Sequence, residues 1–241
     1  MKTHPRPGGP LRTLLNDLGG AAISRERSLR GGTLLFAVLL GLLATWLLLV
    51  EIARPAAYNL PTDAAASLAV VEKRTAALRA ASFGMFRGDL WSQAAFTYAD
   101  LLWPGDRANP SRSLDDALRS IKRALSDAPD QPGTWLMLAA LAARFPSIHM
   151  NSAELLKISY YTGPTAQDLI PLRLSLAVQS DAFDDPEIRR FFGRDIRLML
   201  RRGNAVGITA LYSSTAPARR PVIEQTIRGL DPSLLETLHA K

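Results

Sequence analysis

Three observations in the 241-residue sequence predict an all-α protein, with one N-terminal transmembrane helix followed by a domain of helical hairpins. Leu34 to Val50 is an unbroken run of uncharged, mostly aliphatic residues, LLFAVLLGLLATWLLLV. Beyond it, apolar residues recur at helical spacing between breaks rich in Pro and Gly. No stretch past the run sustains the apolar–polar alternation of a half-buried strand.

Thr33 before the run and Ile52–Ala53 after it extend the apolar stretch, which places the span at residues 33–53. At about 1.5 Å per residue, such a helix crosses a hydrocarbon core of roughly 30 Å. Glu51 and Arg54 then fall at headgroup level, where long polar side chains reach water. A buried core helix would carry a polar stripe, and this run has none. A cleaved signal peptide fits less well than an anchor. Its apolar core is about 7–15 residues, shorter than this run, and Arg54 or Pro55 stands where a small residue is needed before a cut.

Flanking charge sets the orientation. Residues 1–32 hold Lys2, Arg6, Arg12, Arg25, Arg27 and Arg30 against Asp17 and Glu26, six cations to two carboxylates, net +4. Glu51, Arg54 and Asp63 leave the other flank neutral to negative. Basic flanks resist translocation, so the N-terminus is expected in the cytoplasm and the larger part across the membrane. In a Gram-negative bacterium that part is periplasmic. The expected organisation is a basic tail at 1–32, the helix at 33–53, a linker at 54–63 and a helical domain at 64–241.

The chain has no cysteine, so the exported domain relies on its core rather than on disulfides. Of the net charge of +7, the tail supplies +4, so the basic balance is largely a topology signal. It gives little reason to expect nucleic acid as a partner.

Residues 1–10 are rich in Pro and Gly and are expected to be disordered. Leu11, Leu14, Leu15 and Leu18 could form a short amphipathic helix on the inner leaflet, ended by Gly19–Gly20; a partly ordered tail is the other reading. Ala37, Gly41 and Thr45 lie four apart in the membrane run, a spacing that lets two helices approach closely and offers a homodimer contact. Leu/Ala-rich runs produce such triplets often.

Past the linker, Thr62–Asp63 offers an N-cap for a long helix from about Ala64 to Arg79. A second helix is expected from Leu90 to Leu102, broken at Trp103–Pro104–Gly105–Asp106, with an exposed loop over residues 104–112. Ser113 or Asp115 then caps a helix with Leu114, Leu118, Ile121 and Leu125 on one face. Pro129 and Pro132 punctuate the turn, and Trp135, Leu136, Leu138, Ala139 and Leu141 build the next helix, ending near Phe145–Pro146.

Here the residues resemble a tetratricopeptide repeat, in which small residues recur where two helices cross and a proline closes the second. Ala117, Ile121, Ala124 and Pro129 fall at that family's spacing, and Trp135 and Ala139 near the positions that open the next repeat. Ser152, Leu156, Ser159 and Pro164 repeat the pattern one residue late. The resemblance covers about one and a half repeats over residues 113–164 and implies a stack of helix pairs that bind protein partners.

A narrower likeness lies in NSAELLKISYYTGPTAQDLIPLRLSLAV, Asn151 to Val178. Tyr160–Tyr161–Thr162–Gly163–Pro164, followed by Leu169–Ile170–Pro171–Leu172–Arg173, resembles the VpsP-like proteins. These are single-pass helical proteins encoded beside bacterial exopolysaccharide synthesis genes. The resemblance implies a role in polysaccharide production or export and no particular reaction. Read without a family, Gly163–Pro164 ends a helix, Thr165 caps the next, and the tyrosines pack between helices. If a sugar-binding surface exists, Tyr160, Tyr161 and Arg173 are its material.

No constellation for catalysis stands out. His4, His149 and His239 are scattered, and no metal-ligand spacing, nucleophile elbow, phosphate loop or dinucleotide fingerprint occurs. No cofactor is expected. Asp115–Asp116 and Asp184–Asp185 read as helix-start carboxylates. The segment PEIRRFFGRDIRLMLR, from Pro186, places Arg190, Arg194, Arg197 and Arg201 on one narrow stripe. Ile188, Phe192, Ile196 and Met199 fall opposite and should bury. A four-arginine stripe suits carboxylate, phosphate or an acidic partner, and also suits a solvated helix face balanced by Glu187 and Asp195. Helices over Ala205–Tyr212 and Val222–Ile227, and one opened by Asp231–Pro232, complete the domain.

The reading that follows is a non-catalytic scaffold, anchored in a bacterial inner membrane and assisting surface-polysaccharide synthesis, polymerisation or export through protein contacts. The alternative is an assembly factor of another envelope system, such as pilus or secretion, cytochrome maturation or division.

Overall fold

A computed structural model describes residues 9–53, 59–103 and 110–239. The disorder expected of the first residues, His4, and the loop expected over residues 104–109 fall outside them. Among the described residues there are twelve α-helices, five short 3-10 turns and no strand. The chain is all-α, as the periodicity predicts. It divides into two units, Met1–Ile52 and Ala53–Lys241.

In the first unit, α1 (Gly9–Ala53) is one continuous helix. The break expected at Gly19–Gly20 does not occur. Glycine costs a helix about 1 kcal/mol but is compatible with its geometry, and here no left-handed residue is used to end it. Arg30–Ile52, 23 residues that contain an 18-residue window of mean hydropathy 2.6, is long and apolar enough to cross a membrane. Its hydroxyls are satisfied within the helix: Thr33 Oγ1 donates to the Arg30 carbonyl at 3.0 Å and Thr45 Oγ1 to the Gly41 carbonyl at 2.8 Å. Ala37, Gly41 and Thr45 are exposed, and nothing stands within 4 Å of the space a Cβ at Gly41 would fill.

The second unit begins its core inside the expected linker, because Leu60 is buried among core side chains. Asp63 caps α2 (Ala64–Val71) as predicted, its carboxylate accepting from the Ala66 N–H at 2.7 Å. The single helix expected to Arg79 is instead two, with α3 spanning Arg74–Phe83. The β-branched pair Val70–Val71 weakens the helix just before the break. Arg74 is then held by a distant contact. Its guanidinium reaches the Thr97 carbonyl at 2.5 Å and Asp100 at 3.0 Å, and lies 4.0 Å over the Tyr98 ring. The second expected helix is likewise divided, into α4 (Gly88–Phe96) and a 3-10 turn over Ala99–Leu102, where Thr97 Oγ1 donates back to the Ala94 carbonyl.

Next come α5 (Pro110–Asp127), α6 (Pro132–Arg144), α7 (Ser152–Thr162) and α8 (Ile170–Gln179). Neither Ser113 nor Asp115 caps α5, since Pro110, whose fixed φ suits a helix start, begins it earlier. Thr165 caps nothing: a 3-10 turn over Gln167–Leu169 leads into α8 without a side-chain cap. Then follow α9 (Pro186–Arg201), α10 (Ala205–Ser214), α11 (Arg220–Arg228) and α12 (Pro232–His239).

Two antiparallel pairs stand out. Gly88, opening α4, lies against Ala124 and Ala128 at the far end of α5. Ser159, late in α7, donates to the Pro132 carbonyl that opens α6 at 2.8 Å. A buried hydroxyl pair, Ser92 and Thr134 at 2.7 Å, joins α4 to α6. The small residues at 117, 124 and 139 are all fully buried, which is what close helix crossing requires.

Gly88 and Gly193 give opposite tests of this packing. A Cβ on Gly88 would sit 2.5 Å from the Ala128 Cβ and 2.8 Å from its backbone nitrogen, whereas one on Gly193 meets only Thr226 Cγ2 at 3.9 Å. Gly88→Ala should therefore destabilise by about 1–3 kcal/mol through overpacking. Gly193→Ala, inside α9, should stabilise by about 0.5–1 kcal/mol. Urea unfolding midpoints of the two variants check both signs.

Candidate functional site

The arginine stripe and the tyrosine pair, far apart in sequence, meet around α9. This helix starts where predicted. The Asp185 carboxylate accepts from the Glu187 N–H at 2.8 Å and lies 3.1 Å from Lys157 Nζ. The Glu187 amide, and then Lys157, hold that carboxyl below its ordinary range. Ile188, Phe192, Ile196 and Met199 are buried, as their spacing predicts.

Of the four stripe arginines, Arg190, Arg197 and Arg201 are exposed. Arg190 has only a distant carboxylate, Glu187 at 4.0 Å. Arg194 differs. It lies 3.3 Å from Asp195 Oδ1 and crosses the faces of Phe191 and Tyr160, 5.4 and 5.5 Å from the ring centres. The stripe is therefore three open cations and one that is built into the packing.

Arg173 was expected on a surface with the tyrosines, and the structure corrects this: it is 0% exposed. Its helix, α8, presents Ile170, Leu172, Leu174, Leu176 and Ala177 to the interior, and Arg173 shares that burial. The guanidinium donates to the Gly163 carbonyl at 3.0 Å, to Ser159 Oγ and to the Ser159 carbonyl. Both carbonyls, at the end of α7, also accept a backbone N–H, from Gly163 at 3.3 Å and from Ala166 at 3.2 Å, so the guanidinium is a second donor to each. The same guanidinium lies 4.5 Å from the centre of the Tyr160 ring.

Tyr160 is buried as well, stacked on Phe191 at 4.5 Å. Its hydroxyl and Asp195 Oδ2 lie within each other's electrostatic reach, but neither has a hydrogen-bond partner of acceptable geometry. Burial raises the Asp195 carboxyl above its usual range against the pull of Arg194 and Arg173. Burial also raises the Tyr160 hydroxyl and lowers the Arg173 guanidinium. The three form one desolvated node between α7, α8 and α9.

What faces solvent beside the node is Tyr161, 59% exposed and edge-on to the half-buried Phe191 at 5.9 Å. A hydrogen bond to Glu187 holds its hydroxyl pKa up. Tyr161, Phe191, Arg190 and the outer edge of Arg194 thus make a cationic–aromatic surface, continued along α9 by Arg197 and Arg201. An aromatic face and guanidinium forks suit a ring-bearing, carboxylate- or phosphate-rich ligand. Sequence reasoning singled out neither Phe191 nor the structural part played by Asp195. An arginine at position 173 inside the apolar IPLRLSLAV, with no carboxylate three or four residues away, was the available sign of burial.

A second concavity, a groove of about 940 Å3, runs between the ends of α6, α8 and α10, lined by Trp103, Arg144, Leu172, Leu176, Met199 and Leu211 among others. Among the described residues, no group of three or more His, Cys, Asp or Glu is placed to hold a metal ion.

No protein-family model, curated protein or solved structure matches the chain. The two resemblances read from residues 113–164 and 151–178 therefore stand on those residues alone. The class that the fold itself defines is an all-helical domain preceded by one helix long and apolar enough to cross a membrane.

The node generates two predictions. Arg173→Met removes the guanidinium's hydrogen bonds, leaving the Ser159 and Gly163 carbonyls with only their backbone donors and Asp195 with Arg194 as its near cation, and should cost about 1–3 kcal/mol. Tyr160→Phe removes a hydroxyl that has no partner and should change stability by less than about 1 kcal/mol; chemical denaturation of both variants checks the contrast. The second concerns pH. The folded Asp195 pKa is raised above an unfolded value of about 3.9, so the folded state binds more protons in the interval between them. Stability should fall as pH rises through that interval, and Asp195→Asn should remove the trend. The stability difference between the two proteins, followed upward from about pH 4, should decline before levelling.

Proposed function

We propose that this protein is a non-catalytic, membrane-anchored helical scaffold that assists surface-polysaccharide synthesis, polymerisation or export in a bacterial envelope. Its N-terminus lies in the cytoplasm, its α1 span in the inner membrane and its helical domain in the periplasm, consistent with the net +4 before the span. The observation that carries the reading is the cationic–aromatic surface of α9. Arg190, Arg197 and Arg201 are open to solvent in one line, with exposed Tyr161 at its end. Uronate- or phosphate-bearing polymers present the complementary chemistry, repeated anions on saccharide rings. The repeat-like helix pairs and the groove between α6, α8 and α10 supply surfaces for protein partners. Anchoring raises the local concentration of such a scaffold at membrane-bound machinery.

Arg194 is left intact in the test because it packs against Tyr160 and Asp195. In a strain lacking the gene, surface polymer amount and chain length should fall. Full-length protein should restore both, and Arg190/Arg197/Arg201→Ser should restore neither while remaining folded by circular dichroism. Restoration by the triple variant would detach the function from the stripe. Unchanged polymer in the deletion strain would exclude the polysaccharide role.

A further inference from the structure

We propose that the turn joining α3 to α4 is a second membrane contact, one that seats apolar side chains in the interface of a bilayer containing anionic phospholipid. Phe83, Met85 and Phe86 are 63%, 53% and 72% exposed, three large apolar side chains within four residues. In a soluble setting such a cluster is costly, and clusters of this kind mark lipid or partner contacts.

The turn is built to hold them outward. Met85 adopts a left-handed φ of 39°, uncommon for a residue with a side chain. Arg123, from α5, fixes that conformation by donating to the Met85 carbonyl at 2.9 Å. Gly84 permits the approach of Leu90, whose Cδ1 lies 2.5 Å from where a Cβ would stand. The outward face continues up α3 as a shallow cleft of about 370 Å3 lined by Thr75, Leu78, Arg79, Ser82 and Phe83.

Three arguments favour lipid over a protein as the occupant. The same chain carries a helix long and apolar enough to span a bilayer, and the proposal rests on that helix spanning one. Only residues 54–59 separate it from Leu60, already in the domain core, a tether of roughly 20 Å at full extension. On that reading the chain length alone keeps Leu60 within that reach of the bilayer. Finally, one exposed cation stands one helical turn before Phe83. Arg87 pairs with Asp89 and Arg123 with Asp127, while exposed Arg79 has no carboxylate among the described ion pairs. Phenylalanines beside an open arginine suit an interfacial insertion, in which an anionic headgroup meets the cation and the acyl boundary takes the rings.

The chain has no cysteine, so single labels are clean. Full-length protein carrying an environment-sensitive fluorophore at Ser82→Cys would be reconstituted in nanodiscs of phosphatidylcholine and phosphatidylglycerol doped with shallow nitroxide lipid. Gln225→Cys, on α11, serves as the distant reference and Leu43→Cys, with deep nitroxide lipid, as the test of the span. The Ser82 label should be quenched at least about twofold more than the Gln225 label. Phe83→Ser with Phe86→Ser should abolish the excess without loss of helical content, and omission of phosphatidylglycerol should lower it. A quenched Leu43 label with an unquenched Ser82 label would overturn the turn's role and leave the anchor standing. Unaltered quenching in the double variant would also overturn it, by assigning proximity to the tether alone. An unquenched Leu43 label would overturn both.

Discussion

A guanidinium placed where water cannot reach it must find its hydrogen bonds inside the protein, and the arrangement of α7, α8 and α9 follows from how Arg173 does so. Burying an unpaired cation costs several kcal/mol, so its donors are all directed. They go to the Ser159 and Gly163 carbonyls, beside the Gly163 and Ala166 amides that these carbonyls already accept, and to Ser159 Oγ, which itself donates to the start of α6. One side chain thus fixes where α7 ends, how α8 approaches it and, through Tyr160 and Asp195, which face of α9 docks. The surface of α9 is a product of this constraint: Arg194 is drawn inward to Asp195, and its three neighbours are left to solvent.

Two exposed apolar surfaces sit at different points of the same chain and obey different physics. Arg30–Ile52 of α1 is long and apolar enough to cross a membrane and exposes mostly aliphatic side chains on a regular helix, the combination that hydrocarbon requires. The α3–α4 turn exposes rings on an irregular backbone. Such a backbone does not suit the hydrocarbon core, because its peptide groups need water. A line of arginines on α9 is a third kind of surface, suited to multivalent anions rather than to apolar contact.

Much of this was legible in the sequence wherever one physical rule acted alone. Uniform apolarity marked the span, helical periodicity marked α5, α6 and α9, and Asp63 and Asp185 announced their helices by capping chemistry. Legibility failed where tertiary contacts outweighed local preference. Nothing near Glu72 demands a break as Pro or Gly would; Arg74 reaches Thr97 and Asp100, more than twenty residues away. Gly19–Gly20 carry a stop signal that the helix does not use. The candidate site was half legible. Tyr160, Tyr161 and Arg173 are read from the sequence as one surface and Arg194 as part of a separate stripe; the structure brings the four together, with Tyr160 and Arg173 buried. Side-chain type cannot separate a buried cation from a surface one when both occur on short helices; only the partners do, and these come from other helices.

The node at Arg173 also bears on how the domain comes apart. Its hydrogen bonds and ring contacts tie residues 159–163, 173 and 194–195 into one set, with few bonds that belong to a single helix pair. Opening any one of α7, α8 or α9 exposes the same guanidinium and the same carboxylate to partial solvation without release of the others. Local fraying there gains little, so the three helices behave as a single cooperative unit that opens together, whereas the polar contacts of the α10–α12 end, such as Tyr212 with Glu224 and Arg220 with Thr215, lie between neighbouring helices and let it open in smaller steps.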